Sequence, residues 1–172
     1  ERVAVVHSGI IENFRELREA LEKKGTVFKT ETDTEIVLHL VDDMLKNGVK
    51  PVEAVRATLS QLRGAFALGF IFAGEDDLMI GARNGPPLAI GYGNGEMYLG
   101  SDAIALGPFT DTIAYLEDGD WVVLTRKGAT IYDKNDAVVQ REATRHSAST
   151  SLVDKANYRH FMAKEIHEQP EV

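Results

Sequence analysis

The sequence contains no cysteine. Within these residues that excludes a disulfide framework, a thiolate metal site and a cysteine nucleophile. Positive charge is also scarce: 19 Lys and Arg against 27 Asp and Glu leave a formal net charge of −8. No basic patch can dominate such a surface field, so nucleic acid is not an expected partner. No apolar run approaches the ~20 residues that a helix needs to cross a bilayer, and no membrane partner is expected either. The chain opens Glu1-Arg2-Val3 with no methionine and no signal-peptide pattern, running straight into a strand. That opening points to an excised fragment, and the lack of cysteine fits a cytoplasmic protein. What remains is ordinary for a globular domain: 172 residues, 44% hydrophobic, long enough to bury a substantial core.

Helices cluster early and strands late. Val3 to His7 reads as a strand buried on both faces, broken by Ser8-Gly9. Asn13 with Glu16 three residues on forms a capping-box pattern for a helix striped by Phe14, Leu17 and Leu21 and stopped by Gly25. Thr26 to Lys29 reads as a brief strand. A second helix runs from Asp33 to Asn47, with Ile36, Val37, Leu40, Val41 and Met44 on one face, and a third starts at Pro51 and is closed by Gly64. Ala65 to Ala73 is apolar on both parities, as a central strand would be. A β meander follows: Asp77 to Ala82, then Leu88 to Tyr92 and Glu96 to Leu99 around Asn94-Gly95, the strongest hairpin signal in the chain. Ser101 to Leu106 reads as a short helix capped by Ser101 or Asp102, followed by strands at 112–116, 121–125 and 130–132. Residues 134–154 read as a polar connector and 158–169 as a final helix. The late strands are joined by turns rather than crossover helices, so the fold expected is a layered α+β sandwich.

Most candidate chemistry dissolves on inspection. Gly91-Tyr92-Gly93-Asn94-Gly95 lacks the Lys-Ser/Thr ending of a phosphate loop and opens no helix, so it is a hairpin turn. The five histidines, at 7, 39, 146, 160 and 167, form no i, i+4 pair, and neither a metal nor a cofactor is called for. Two seams are more interesting. At His7-Ser8-Gly9 a glycine past a strand allows a substrate to approach the backbone, whose N–H can serve as an oxyanion donor. At Thr32-Asp33-Thr34-Glu35, Asp33 on a helix start could hold a substrate ammonium. On spacing alone a tight turn and an ordinary helix cap are the favoured explanation of both seams.

The same residues resemble a known family. VVHSGIIENFRELREALEKKG followed by TETDTEIVLHLV is similar to the glutaminase domain of glucosamine-6-phosphate synthases, a branch of the class II glutamine amidotransferases. The family pattern at the first seam is His-Asn-Gly-Ile-Ile-Glu-Asn, and at the second Thr-Asp-Thr-Glu. The likeness continues through Leu62-Arg63-Gly64-Ala65, Ala82-Arg83, Pro87-Leu88, Gly95-Glu96 and Ser101-Asp102. It ends with Tyr158 to Pro170, a run similar to the family's link into a sugar-isomerase domain. On that basis residues 1–145 are expected to form a partial glutaminase domain, and residues 146–172 a linker and helix toward an isomerase domain.

The resemblance implies a partial αββα sandwich of the N-terminal-nucleophile hydrolase type. It implies glutamine as substrate, an amino-terminal cysteine as nucleophile, and ammonia passed on to convert fructose 6-phosphate to glucosamine 6-phosphate. It also implies a homodimer for the full-length protein. Carried over by position, Gly9 would be a backbone donor of the oxyanion hole and Asp33 would bind the α-amine of glutamine. Ser8 stands where the family has the asparagine that donates the second oxyanion hydrogen bond; a serine hydroxyl donates from a shorter side chain. With the nucleophile segment absent, the fragment alone is expected to be inactive. The alternatives are another class II amidotransferase, or a nucleophile-free module of the same fold kept for binding or assembly.

Overall fold

A computed structural model describes residues 2–146. Its first strand, β1 (Val3–Ile11), is followed by three helices, α1 (Phe14–Lys23), α2 (Asp33–Lys46) and α3 (Pro51–Leu59). Four strands come next: β2 (Gly64–Phe72), β3 (Met79–Asn84), β4 (Ala89–Tyr92) and β5 (Met97–Gly100). One helical turn, α4 (Ala103–Leu106), precedes β6 (Thr112–Tyr115), β7 (Trp121–Thr125) and β8 (Gly128–Tyr132). The short strands β9 (Val138–Val139) and β10 (Ala143–Arg145) complete the described elements.

These strands form two antiparallel sheets, one ordered β1-β2-β3-β7-β8-β9 and the other β10-β6-β4-β5. Side-chain alternation explains the layers. From β2, Phe66, Leu68, Phe70 and Phe72 join Ile36, Val37, Leu40, Val41 and Val55 in a core between the first sheet and the three long helices. The opposite parity, Ala67 in β2 with Val122 and Leu124 in β7, meets Leu88, Ile90 and Leu116 in a second core between the sheets. Outside the second sheet, Ala89 and Ile113 pack on Leu106 of α4. The order of layers is therefore helix, sheet, sheet, helix, the expected αββα sandwich, with a single turn in its last layer. Each buried Leu, Ile or Phe contributes on the order of 1.5–3 kcal/mol, so the two apolar parities of β2 hold three layers together. The sheets approach closely because inner positions are small: a Cβ at Gly81 would lie 2.9 Å from the Leu99 side chain.

Several local expectations need correcting. β1 does not stop at His7; it runs through Ser8-Gly9 to Ile11 and pairs residue for residue with β2 as far as Gly64. It is not buried on both faces either, since Val6 is 73% and Ile10 64% exposed. β1 is an edge strand, and the second sheet does not extend over that part of its inner face among the described residues. Asn13 makes no capping hydrogen bond. Its amide donates to the Gln61 carbonyl at 2.8 Å and accepts from the Arg63 N–H at 2.9 Å, tying the start of α1 to the turn before β2. Residues 26–29 form no strand because Glu35 takes the Lys29 N–H that a ladder would need. α3 ends at Leu59, and Gly64 begins β2 rather than closing the helix. The polar stretch after Asp133 contains β9 and β10, two strands too short to leave a periodic signal. The proposed final helix at 158–169 lies outside the described residues, as do His160 and His167.

The Asn13 geometry makes a discriminating prediction. Asn13→Ala removes a long-range bridge and should cost about 1–2 kcal/mol, whereas Glu16→Ala should stay within about 0.5 kcal/mol. Urea unfolding of the two variants checks this; equal losses would restore the capping box.

Candidate functional site

The site is built where the end of β1 meets the start of α2. β1 is the terminal strand of its sheet, so one of its edges has no strand partner among the described residues. Ile11 uses that open edge: its N–H donates to Asp33 Oδ2 at 2.9 Å. This bond fixes the first turn of α2 against the strand across 22 positions of sequence. A carboxylate in the first turn also sits favourably at the positive end of the helix dipole. Asp33 stays 24% exposed, so its carboxylate is anchored through one oxygen and accessible to a ligand.

Gly9 lies two residues earlier on the same strand. Its φ is +109°, and a Cβ there would sit 2.1 Å from the Ala65 carbonyl oxygen. Both facts require glycine. Diagonally across the ladder Gly64 has φ +126°, and a Cβ there would lie 2.3 Å from the Ile10 carbonyl oxygen. The ladder is therefore pinched at its end, and such strained backbone is concentrated at functional sites. Ser8 lies on the other parity. It faces a groove of about 290 Å³ lined by Val6, Ala67, Gly69, Pro87, Leu99 and Ser101. Asp33 and Ser8 thus sit on opposite sides of β1, and a ligand touching both must lie along the open edge past Gly9.

The segment before Asp33 is held by a residue that local sequence does not reveal as an anchor. Glu35 accepts hydrogen bonds from Lys29 N–H and Thr30 N–H, each at 2.7 Å, and from the Thr30 hydroxyl at 2.5 Å. His39 Nε2 adds a fourth at 3.1 Å and packs edge-on against Phe28. Burial alone would raise the Glu35 pKa, but the bonds from Thr30, Lys29 and His39 outweigh it and lower the value from 4.5 to about 2. Nothing in the spacing around Glu35 announces this role, because its partners belong to a loop without periodicity. Among the described residues no group of three or more His, Cys, Asp or Glu could hold a metal ion, and no helix is long and apolar enough to cross a membrane.

Comparison with known proteins supplies the family. Residues 1–108 match the family model described as a glutamine amidotransferase domain. The chain belongs to the glutamine amidotransferase family. Relatives of this family include the isomerizing glutamine–fructose-6-phosphate aminotransferase of Bradyrhizobium diazoefficiens, 84% identical over the whole chain but matched over 28% of its own length. The corresponding protein of Brucella abortus is 64% identical over 99% of the chain, again over 28% of its own length. The chain thus spans little more than a quarter of these relatives. Among solved structures, the glutamine phosphoribosylpyrophosphate amidotransferase of B. subtilis, complexed with ADP and GMP, superposes with a TM-score of 0.67. It is 25% identical and covers 79% of this chain, which corresponds to 30% of that one. The likeness in fold therefore extends beyond the residues that the family model matches.

The Glu35 anchor predicts a pH signature. Because its folded pKa is depressed, Glu35 contributes stability above its unfolded value near 4.5, and that contribution is lost as pH falls through about 2. Glu35→Gln should be less stable than the parent at neutral pH, with the gap closing between about pH 4.5 and 2. Thermal unfolding across that range tests it; a constant gap would contradict the anchor.

Proposed function

We propose that this chain is the larger part of the glutamine-hydrolysing domain of an isomerizing glutamine–fructose-6-phosphate aminotransferase. The observation that carries the reading is the Asp33 carboxylate, held by the Ile11 N–H at 2.9 Å at the open edge of β1, beside the glycine-only backbone of Gly9. Glutamine offers two groups that suit this edge. Its α-ammonium pairs with Asp33, and its side-chain amide lies farther along the strand toward Gly9. An attacking thiolate turns the amide carbonyl into a tetrahedral oxyanion, which the Gly9 N–H stabilises. Ser8 offers a hydroxyl where an asparagine amide would reach farther.

These residues contain no cysteine; the resemblance to the family implies that the thiolate is that of an amino-terminal cysteine outside them, with its own α-amine as the base. Ammonia leaves as the acyl-enzyme forms, and water then releases glutamate. Residues 146–172 lead toward a sugar-isomerase domain, where the ammonia converts fructose 6-phosphate to glucosamine 6-phosphate. The support for this substrate pair is the identity to relatives of that printed name. Ser8 also favours a second reading, a nucleophile-free module of the same fold used in binding or assembly.

Glutamine hydrolysis by the full-length protein separates the two readings, since a nucleophile-free module would show none. In the enzyme, Asp33→Ala should raise the KM for glutamine about ten- to a hundredfold through loss of a charged hydrogen bond. An unchanged KM would refute the ammonium role. Ser8→Asn should raise kcat, by up to ~10²-fold if the hydroxyl falls short of the oxyanion. Unchanged or slower turnover would show that serine is not a weakened donor.

A further inference from the structure

His7 is a titratable group that the proposed chemistry does not use. Its side chain is 3% exposed. Nδ1 lies 3.0 Å from the Thr34 hydroxyl and 3.5 Å from Asp33 Oδ1. Nε2 is buried without a hydrogen-bond partner among the described residues. All the polar contact that offsets burial of this imidazole is therefore made through Nδ1, at the first turn of α2. An N–H at the unpartnered Nε2 would be a buried donor without an acceptor, so the hydrogen belongs on Nδ1, which donates it to the Thr34 hydroxyl with Asp33 Oδ1 at ion-pair distance.

Oδ2 of Asp33 accepts from Ile11 N–H, and Oδ1 lies 3.5 Å from the ring nitrogen that bonds Thr34, the next residue of α2. We propose that His7 is a positioning residue for substrate recognition, fixing the Asp33 carboxylate so that its free lone pairs meet an α-ammonium at the open edge of β1. The polar contacts of the ring are to Thr34 and Asp33, so it acts through them. The proposal rests on the reading of Asp33 as the ammonium site.

The test uses the full-length protein with glutamine and with 4-carbamoylbutyrate, which is glutamine without its α-amine. His7→Phe keeps the ring volume and removes the donor. It should raise the KM for glutamine about tenfold, leave kcat within about twofold, and leave the KM for 4-carbamoylbutyrate unchanged. His7→Asn, whose amide nitrogen sits near the Nδ1 position, should bring the glutamine KM back to within about threefold of the parent. Should His7→Phe fail to fold, His7→Gln replaces it and is read the same way, since its amide falls near Nε2 rather than Nδ1. An unchanged glutamine KM, a loss confined to kcat, an equal rise for the analogue, or an Asn variant no better than Phe would each overturn the proposal. Asp33→Ala runs in parallel: if it raises KM and His7→Phe does not, His7 alone is wrong, whereas an unchanged KM for Asp33→Ala removes the ammonium site itself.

Discussion

The hydrogen bond from Ile11 N–H to Asp33 Oδ2 is the contact on which the site depends. It closes one unpaired donor on the edge of a sheet with the first carboxylate of a helix, and so sets where α2 begins relative to β1. The apolar face of α2 then fixes the rest, because Ile36, Val37, Leu40 and Val41 leave the helix one way to lie on the first sheet. Without the bond the carboxylate would be one more solvated charge at a helix start. With it, a charge is held beside a strand edge that has no strand partner among the described residues.

The surroundings of that bond are all arranged to keep it. Glu35 ties down the loop that delivers Asp33, and four hydrogen bonds keep its half-buried carboxylate ionised. Asn13 fastens the far side of the β1 turn to the approach to β2. Gly9 and Gly64 allow the two strands to pinch together where any side chain would collide with backbone. In the proposed function, the ammonium of glutamine meets the Asp33 carboxylate and its amide meets the Gly9 N–H along one strand edge.

Much of this architecture is legible in the sequence, because the period of apolar residues reports burial directly. α2 and α3, the two-sided strand β2 and the Asn94-Gly95 hairpin all follow from it. Two of the departures share a cause: glycine and asparagine look like local punctuation, while their partners lie far away in sequence. Ser8-Gly9 looks like a strand end, yet the ladder continues because Gly9 takes a backbone conformation closed to other residues. Asn13 looks like a cap, yet its partners are Gln61 and Arg63. The site shows the same division. Gly9, Ser8 and Asp33 stand out through their likeness to a family motif, whereas the pairing of His7 with Thr34 and Asp33 depends on how α2 is rotated against β1, and no spacing rule encodes that.

The central claim is that glutamine lies along the open edge of β1, between Asp33 and Gly9. A crystal structure of the full-length protein with glutamate, the hydrolysis product, tests it most directly. The account predicts the ligand ammonium within about 3.2 Å of an Asp33 carboxylate oxygen and the side-chain carboxylate beside the Gly9 N–H. A ligand bound elsewhere, or one whose ammonium makes no contact with Asp33, would contradict it.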